Sequence, residues 1–221
     1  MPVTVKICGL TSADAVDATV RAGALYGGLV FHARSPRFVP LEQARGLADR
    51  MRGGLKIVAL IADMDDAGIE AIVKSVRPDF LQLHGSETLQ RTAEIRSRFG
   101  VAVIKALPVA EASDLDVAAG YEKFADMLMF DAKPPKDADR AGGHGAAFDW
   151  KLLAGRSFTR PWFLAGGLNP GNVARAVELS GAAQVDVSSG VESAPGVKDA
   201  DRIAAFTAAA NSPVSSSKQS A

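Results

Sequence analysis

A single-domain (β/α)₈ TIM barrel of the α/β class, spanning residues 1–211, is the fold this sequence predicts, and three observations lead to it. Short apolar runs recur along the chain, amphipathic segments separate them, and no shift in composition marks a second domain. A chain of 221 residues suits one domain with a sizeable core.

The runs are Val3–Cys8, Leu25–Phe31, Lys56–Ala62, Phe80–His84, Val101–Leu107, Met127–Asp131, Trp162–Ala165 and Gln184–Val187. They are rich in Val, Ile, Leu, Phe and Met, with Gly, Pro and Asp often at their ends, as buried parallel strands require. Helical spacing fills the intervals. Thr11-Ser12-Ala13-Asp14 is a capping-box pattern opening a helix toward Ala22, with Gly23 to stop it. Leu41–Met51 follows Pro40 and ends at Gly53-Gly54, and Asp66–Ser75, Glu87–Phe99 and Glu111–Tyr121 repeat the plan. Asn169-Pro170 offers an N-cap and a first-turn proline for a helix ending near Gly181, and Asp199–Ala210 is the last helix. A doubly wound open sheet competes with the barrel, because periodicity cannot show closure. The absence of a glycine fingerprint after the first run weighs against its dinucleotide-binding form. The tail over 212–221, Ser-rich from Pro213, has no core face and is expected to be disordered.

Lys+Arg and Asp+Glu both total 25, so there is no global field for nucleic acid or an anionic membrane, and neither partner is expected. A small charged substrate needs only local charge. One cysteine, Cys8, allows no intrachain disulfide, and the N-terminus does not read as a secretory signal. No apolar stretch approaches the ~20 residues of a membrane helix. The expectation is a soluble cytoplasmic protein, monomeric for want of an obvious interface stripe.

In such barrels the working groups sit at the C-terminal strand ends and in the loops beyond. Alternation puts Thr4, Lys6 and Cys8 on one face of the first strand, with Val3, Val5 and Ile7 toward the helices. An amine two residues away would favour the Cys8 thiolate, a form able to act as a base; a small buried core cysteine is the alternative. Asp131 closes the sixth run on the face of Met127 and Met129, where an acid can keep its proton, or else it caps the turn Asp131-Ala132-Lys133-Pro134.

Ala165-Gly166-Gly167-Leu168-Asn169-Pro170 follows the seventh run, and Asp186-Val187-Ser188-Ser189-Gly190-Val191 follows the eighth. Glycine backbone N–H groups and serine hydroxyls at those two positions point to a bound phosphate. Arg37 offers a bidentate carboxylate ligand or is a solvated surface arginine. Gln82 and His84 share a strand face, and His84 is a positioning residue or merely a hydrogen-bonded one near the mouth. The three histidines, His32, His84 and His144, lack metal-ligand spacing, so no metal site is expected. Gly142-Gly143-His144-Gly145 reads as a lid or as a flexible connection.

Taken together, the chain apart from its tail resembles the phosphoribosylanthranilate isomerase family. The matching blocks are Lys6-Ile7-Cys8-Gly9, Val30-Phe31-His32 with Ser35-Pro36-Arg37, Gln82-Leu83-His84-Gly85 and Phe130-Asp131. Further on come Gly142-Gly143-His144-Gly145 with Phe148-Asp149-Trp150, Leu164-Ala165-Gly166-Gly167-Leu168, and Asp186-Val187-Ser188-Ser189-Gly190-Val191-Glu192. Their order and spacing are specific where each block alone is not.

The resemblance implies an Amadori rearrangement of N-(5-phosphoribosyl)anthranilate, with Asp131 as general acid, Cys8 as general base and no cofactor. It implies Arg37 as the anthranilate-carboxylate ligand, and Gly166, Gly167, Ser188, Ser189 and Gly190 as the phosphate loops. Lys6, His84, Gly143, Gly145 and Asp186 complete the residues expected to meet the phosphoribosyl substrate. Position 144 departs from the family, which more often has a hydroxyl residue there, and the basic stretch Ala132–Lys136 reads as an extension of the lid.

Other phosphosugar barrels fit less well. Indole-glycerol-phosphate synthase needs lysine and glutamate pairs at strand ends that are not found, and the histidine-pathway isomerase resembles a duplicated half-barrel with paired aspartates. A non-catalytic phosphosugar binder would need neither Cys8 nor Asp131.

Overall fold

Alternating side chains give each strand one face toward the barrel axis and one toward the helices, and closure follows when the first and last strands pair. In the computed structural model, which describes residues 2–133 and 147–212, that pairing is present. The strands are β1 (Thr4–Cys8), β2 (Tyr26–Val30), β3 (Lys56–Ile61), β4 (Phe80–Leu83), β5 (Ala102–Val109), β6 (Met127–Ala132), β7 (Trp162–Leu164) and β8 (Gln184–Val187). They form a closed barrel in sequence order, every neighbouring pair parallel, with β1 and β8 registered Lys6 to Asp186.

Two cores result. Inside the barrel, Tyr26, Val58, Ile104, Met127, Met129 and Phe163 pack with Phe80, and Tyr26 meets Phe163 edge-on at 5.2 Å between ring centroids. Outside it, Val5, Ile7, Leu29, Ile57, Leu81, Val103 and Leu128 join the helices. The aliphatic face of β1 therefore points outward, as alternation requires, and Lys6 points in.

The helices are α1 (Ala13–Arg21), α2 (Leu41–Met51), α3 (Asp66–Val76), α4 (Leu89–Phe99), α5 (Ala118–Tyr121), α6 (Val173–Ser180) and α7 (Ala200–Ala210). Ser12, Asp65, Thr88 and Asp199 cap four of them by accepting a first-turn N–H. Gly100 and Gly181 end α4 and α6 at φ 63° and 73°, in the left-handed region that lacks a Cβ penalty only for glycine.

Four local expectations need correction. Ser12 rather than Thr11 caps α1, since the Thr11 hydroxyl donates to the Gly196 carbonyl. Helix α4 starts at Leu89, because Glu87 turns into the core to meet Lys105 at 2.7 Å. The expected helix over Glu111–Tyr121 is a 3₁₀ turn at Ala112–Leu115 followed by the single turn α5. Helix α6 is capped at Asn172, not Asn169, whose side chain accepts from Gly171 N–H in a turn of its own. Between β6 and β7 the described residues hold a 3₁₀ turn, Trp150–Leu153, and no α-helix.

One element has no counterpart among the expected runs. Strands β9 (Glu192–Ala194) and β10 (Val197–Lys198) form an antiparallel hairpin between β8 and α7. Of the tail expected to be disordered, Ser212 hydrogen-bonds to Ala208, and the remainder lies outside the described residues.

Candidate active site

β1 ends in Cys8, the last of its inward positions. Two residues earlier, Lys6 is fully buried and its Nζ lies 2.6 Å from Asp186 Oδ1 on the paired strand. Burial works against the Lys6 charge, but Asp186 and Cys8 outweigh it and hold the ammonium above its ordinary pKa. Gly28 faces Cys8 across the β1–β2 register; a Cβ there would stand 3.0 Å from Cys8 Sγ and 3.3 Å from Lys6 Nζ. Glycine keeps the space beside both groups open.

The Cys8 thiol differs from the expectation. Lys6 does pull its pKa down, with help from Lys198, but burial is the larger effect and Asp186 adds to it, so the net shift is upward. The resting side chain is a thiol at neutral pH.

On the far side of the mouth, Asp131 Oδ1 accepts the Ala132 N–H at 2.8 Å, and Oδ2 lies 3.2 Å from His84 Nε2. His84 Nδ1 lies 2.9 Å from Gln82 Nε2. Gln82 thus engages one ring nitrogen of His84 and leaves the other, Nε2, facing Asp131. Behind this relay, Lys105 donates to the carbonyl of Gly85 at 2.8 Å and to Glu87, which in turn accepts from Gly85 N–H and Asp63 N–H. The buried Lys105–Glu87 pair thus fixes the loop that begins with His84. A cavity of about 330 Å³ opens here, lined by Asp63, His84, Gly85, Ser86, Ala106, Leu107, Pro108, Asp131 and Ala132.

The two glycine-bearing loops meet each other and the acid. Gly166 has φ 87°, and a Cβ on it would stand 2.5 Å from Ala132 N and 3.1 Å from Asp131 Oδ1. A Cβ on Gly190 would stand 1.9 Å from the Leu168 carbonyl oxygen, so the loop after β8 lies directly on the loop after β7. Among the described residues, the peptide N–H groups of Gly166, Gly167, Leu168 and Ser188 have no hydrogen-bond acceptor. Converging unpartnered donors in a glycine loop suit an anion. Ser188 Oγ donates to the Cys8 carbonyl at 3.0 Å, tying this cradle to the end of β1.

Arg37 is not a solvated surface residue. It is 6% exposed, its side chain lies on Gly9, and its Nε and Nη2 grip Glu192 Oε1 and Oε2 at 2.6 and 2.7 Å. Nη1 has no acceptor among the described residues.

Residues 5–209 match the family described as N-(5'phosphoribosyl)anthranilate (PRA) isomerase. The chain belongs to the N-(5'-phosphoribosyl)anthranilate isomerase family. It is an intramolecular isomerase of tryptophan biosynthesis. The N-(5'-phosphoribosyl)anthranilate isomerase of Paramagnetospirillum magneticum is 53% identical over 210 residues, covering 95% of this chain and 98% of that protein. That of Paracoccus denitrificans is 53% identical over 214 residues, covering 97% and 100%. Among solved structures, the phosphoribosyl anthranilate isomerase of Thermotoga maritima has a TM-score of 0.84 at 35% identity, covering 94% of this chain and 98% of that one. A phosphoribosyl anthranilate isomerase in complex with reduced 1-(o-carboxyphenylamino)-1-deoxyribulose 5-phosphate has a TM-score of 0.82 at 33% identity, with the same coverage.

Against this family background, the structure brings Lys6, Cys8, Asp186 and Ser188 together on the β1–β8 side of the mouth, and His84 and Asp131 on the β4–β6 side. Gly166, Gly167, Ser189 and Gly190 lie between them. Gly143 and Gly145, with His144 and most of the expected lid, fall outside the described residues. Sequence reading missed Glu87, Lys105 and Lys198, all buried and paired. Pro195-Gly196 was the available signal for the hairpin that delivers Lys198, since that dipeptide marks a turn. No helix among the described residues is long and apolar enough to cross a membrane.

Proposed function

We propose that this chain converts N-(5-phosphoribosyl)anthranilate to 1-(2-carboxyphenylamino)-1-deoxyribulose 5-phosphate with Asp131 as general acid and Cys8 as general base. One observation carries the assignment. Asp131 lies beside Gly166, Leu168 lies against Gly190, and Ser188 bonds to Cys8, so acid and base border one continuous loop surface. A phosphate held by that surface puts the attached ribose within reach of both groups.

Asp131 gives its proton to the furanose ring oxygen; the C1–O bond breaks and a protonated Schiff base forms to the anthranilate nitrogen. In the fraction of enzyme whose Cys8 has lost its proton to solvent, the thiolate then takes the proton from C2, and the electron pair moves to give the enolamine. Tautomerisation places a proton on C1 and leaves the ketone at C2. Both steps are proton transfers, so neither calls for a metal or a redox cofactor. Lys6, held by Asp186, supplies positive charge beside the thiolate as it forms, and the Gln82–His84 relay orients Asp131.

Arg37 meets the anthranilate carboxylate through Nη1, since Nε and one Nη2 proton are committed to Glu192. Arg37→Ala is expected to raise KM about tenfold or more with a smaller effect on kcat, as loss of a charge-assisted contact does. Unchanged steady-state constants would count against this contact. Gly190→Ala would force the two loops apart at Leu168, and KM should rise about ten- to a hundredfold through misplacement of the phosphate. Wild-type KM with that substitution would remove these loops from the assignment.

A monomeric catalytic unit over 1–211 is part of this proposal, whereas the Thermotoga maritima relative is described as dimeric. A cytoplasmic location suits a reaction that needs Cys8 as a free thiol. The direct test supplies enzymatically generated phosphoribosylanthranilate to the purified chain and follows loss of substrate fluorescence. Absence of turnover would refute the proposal.

A further inference from the structure

Outside the acid–base pair, the mouth holds a second set of buried charges whose count is uneven. Lys6 and Asp186 form a balanced pair, one cation to one carboxylate. At Glu192 two cations share one carboxylate. Arg37 occupies both oxygens, and Lys198 Nζ approaches Oε1 at 2.7 Å. The Lys198 side chain is fully buried and the Glu192 side chain nearly so, which leaves little water to screen the excess.

Burial draws the Lys198 pKa below that of an ordinary lysine against the pull of Glu192, and the acceptors around it are those an ammonium needs. Besides Glu192, Nζ donates to the Ser188 carbonyl at 3.0 Å and to Ser188 Oγ at 3.2 Å. Three acceptors match the three N–H donors of an ammonium, whereas an amine has two. The hairpin is held in place independently: Gly196, at φ 82°, lies against the Pro36 carbonyl, where a Cβ would stand 2.4 Å away, and Arg202 donates to the Glu192 carbonyl. Lys198 is therefore delivered to Glu192 by a rigid element rather than by a mobile side chain.

We propose that Lys198 is a positioning residue that sets the carboxylate affinity of Arg37: it neutralises Glu192, so that the guanidinium presented through Nη1 keeps a net positive charge for the substrate's aryl carboxylate. An arginine gripped bidentately by an uncompensated glutamate is a neutral pair and attracts a third carboxylate weakly. Glu192 fixes the guanidinium's orientation, and Lys198 cancels the electrostatic cost of doing so. This rests on Arg37 as the carboxylate ligand, and the experiment separates the two ideas.

Two probes are titrated against the intact enzyme: reduced 1-(o-carboxyphenylamino)-1-deoxyribulose 5-phosphate, and its counterpart lacking the aryl carboxylate. Lys198→Met should weaken the first about ten- to a hundredfold and the second less than about threefold. Lys198→Arg should behave as wild type. Glu192→Gln should shift the first probe the other way, toward tighter binding, and Glu192→Gln with Lys198→Met should recover most of the lost affinity. Glu192→Gln keeps the proposal testable even where Lys198→Met does not fold. Equal losses for both probes in Lys198→Met would assign Lys198 to the Ser188 loop and overturn the proposal, as would no loss for either or no selective gain in Glu192→Gln. Arg37→Ala reports on the underlying reading: if it fails to discriminate between the probes, Arg37 is not the carboxylate ligand. If it discriminates and Lys198→Met does not, only the role of Lys198 falls.

Discussion

Cys8→Ala is expected to lower kcat about a hundredfold or more while the enzyme still binds a phosphorylated product analogue. The loops that grip the phosphate are built from Gly166, Gly167 and Ser188–Gly190, and their contact with β1 runs through the Cys8 carbonyl, which alanine retains. Only the proton acceptor is lost. Cys8→Ser should be nearly as slow, because a hydroxyl in the same buried place ionises far less readily than a thiol. The pH dependence carries the sign of the shift. Burial raises the Cys8 pKa above that of an ordinary thiol, so the thiolate fraction of the free enzyme is small at neutral pH and grows as pH rises. The rate constant kcat/KM should accordingly climb on the alkaline side, and the climb should vanish in Cys8→Ala. A flat wild-type profile from neutrality to about pH 9.5, past the ordinary thiol pKa, would contradict this, as would near-wild-type turnover in either variant.

The opposed effects on that thiol show what sequence could and could not convey. Alternation along β1 put Lys6 and Cys8 on one face correctly, because a strand's period is a local property of its backbone. Whether the thiolate is favoured depends on burial, and burial depends on how eight strands close; Lys6 proved a weaker influence than the barrel around it. Arg37 follows the same pattern. Its residue type suggested a carboxylate partner, yet the partner it already holds, Glu192, stands 155 residues away and meets it only because β1, β2 and β8 are neighbours in the closed barrel. Lys198 sits in a two-residue strand, too short for any periodicity to reveal. Glu87 opens the helix expected over Glu87–Phe99, and Lys105 lies within the apolar run Val101–Leu107 with nothing nearby in sequence to name its partner. Their buried pairing needed the register of β4 against β5. The glycine loops, by contrast, were legible from residue type alone, since the requirement for glycine where backbones approach closely acts at single positions.

Asp131→Asn is expected to cost about a hundredfold or more in kcat with little change in analogue affinity, and it is the more informative substitution at this site than Asp131→Ala. Asparagine keeps the shape that Gly166 packs against and an oxygen to accept the Ala132 N–H, so the neighbouring loop stays where it is. What it cannot do is release a proton to the furanose oxygen, and ring opening is the first step of the reaction. The relay behind it provides an internal check. With Gln82 on Nδ1, His84 presents Nε2 to Asp131, and His84→Ala should lower kcat less than Asp131→Asn does, because it loosens the acid without removing it. Combining the two should cost little beyond Asp131→Asn alone, since residues acting through one group are not additive. Fully additive losses would mean that His84 acts on the substrate by a separate route, and wild-type turnover in Asp131→Asn would mean that the ring oxygen takes its proton from elsewhere.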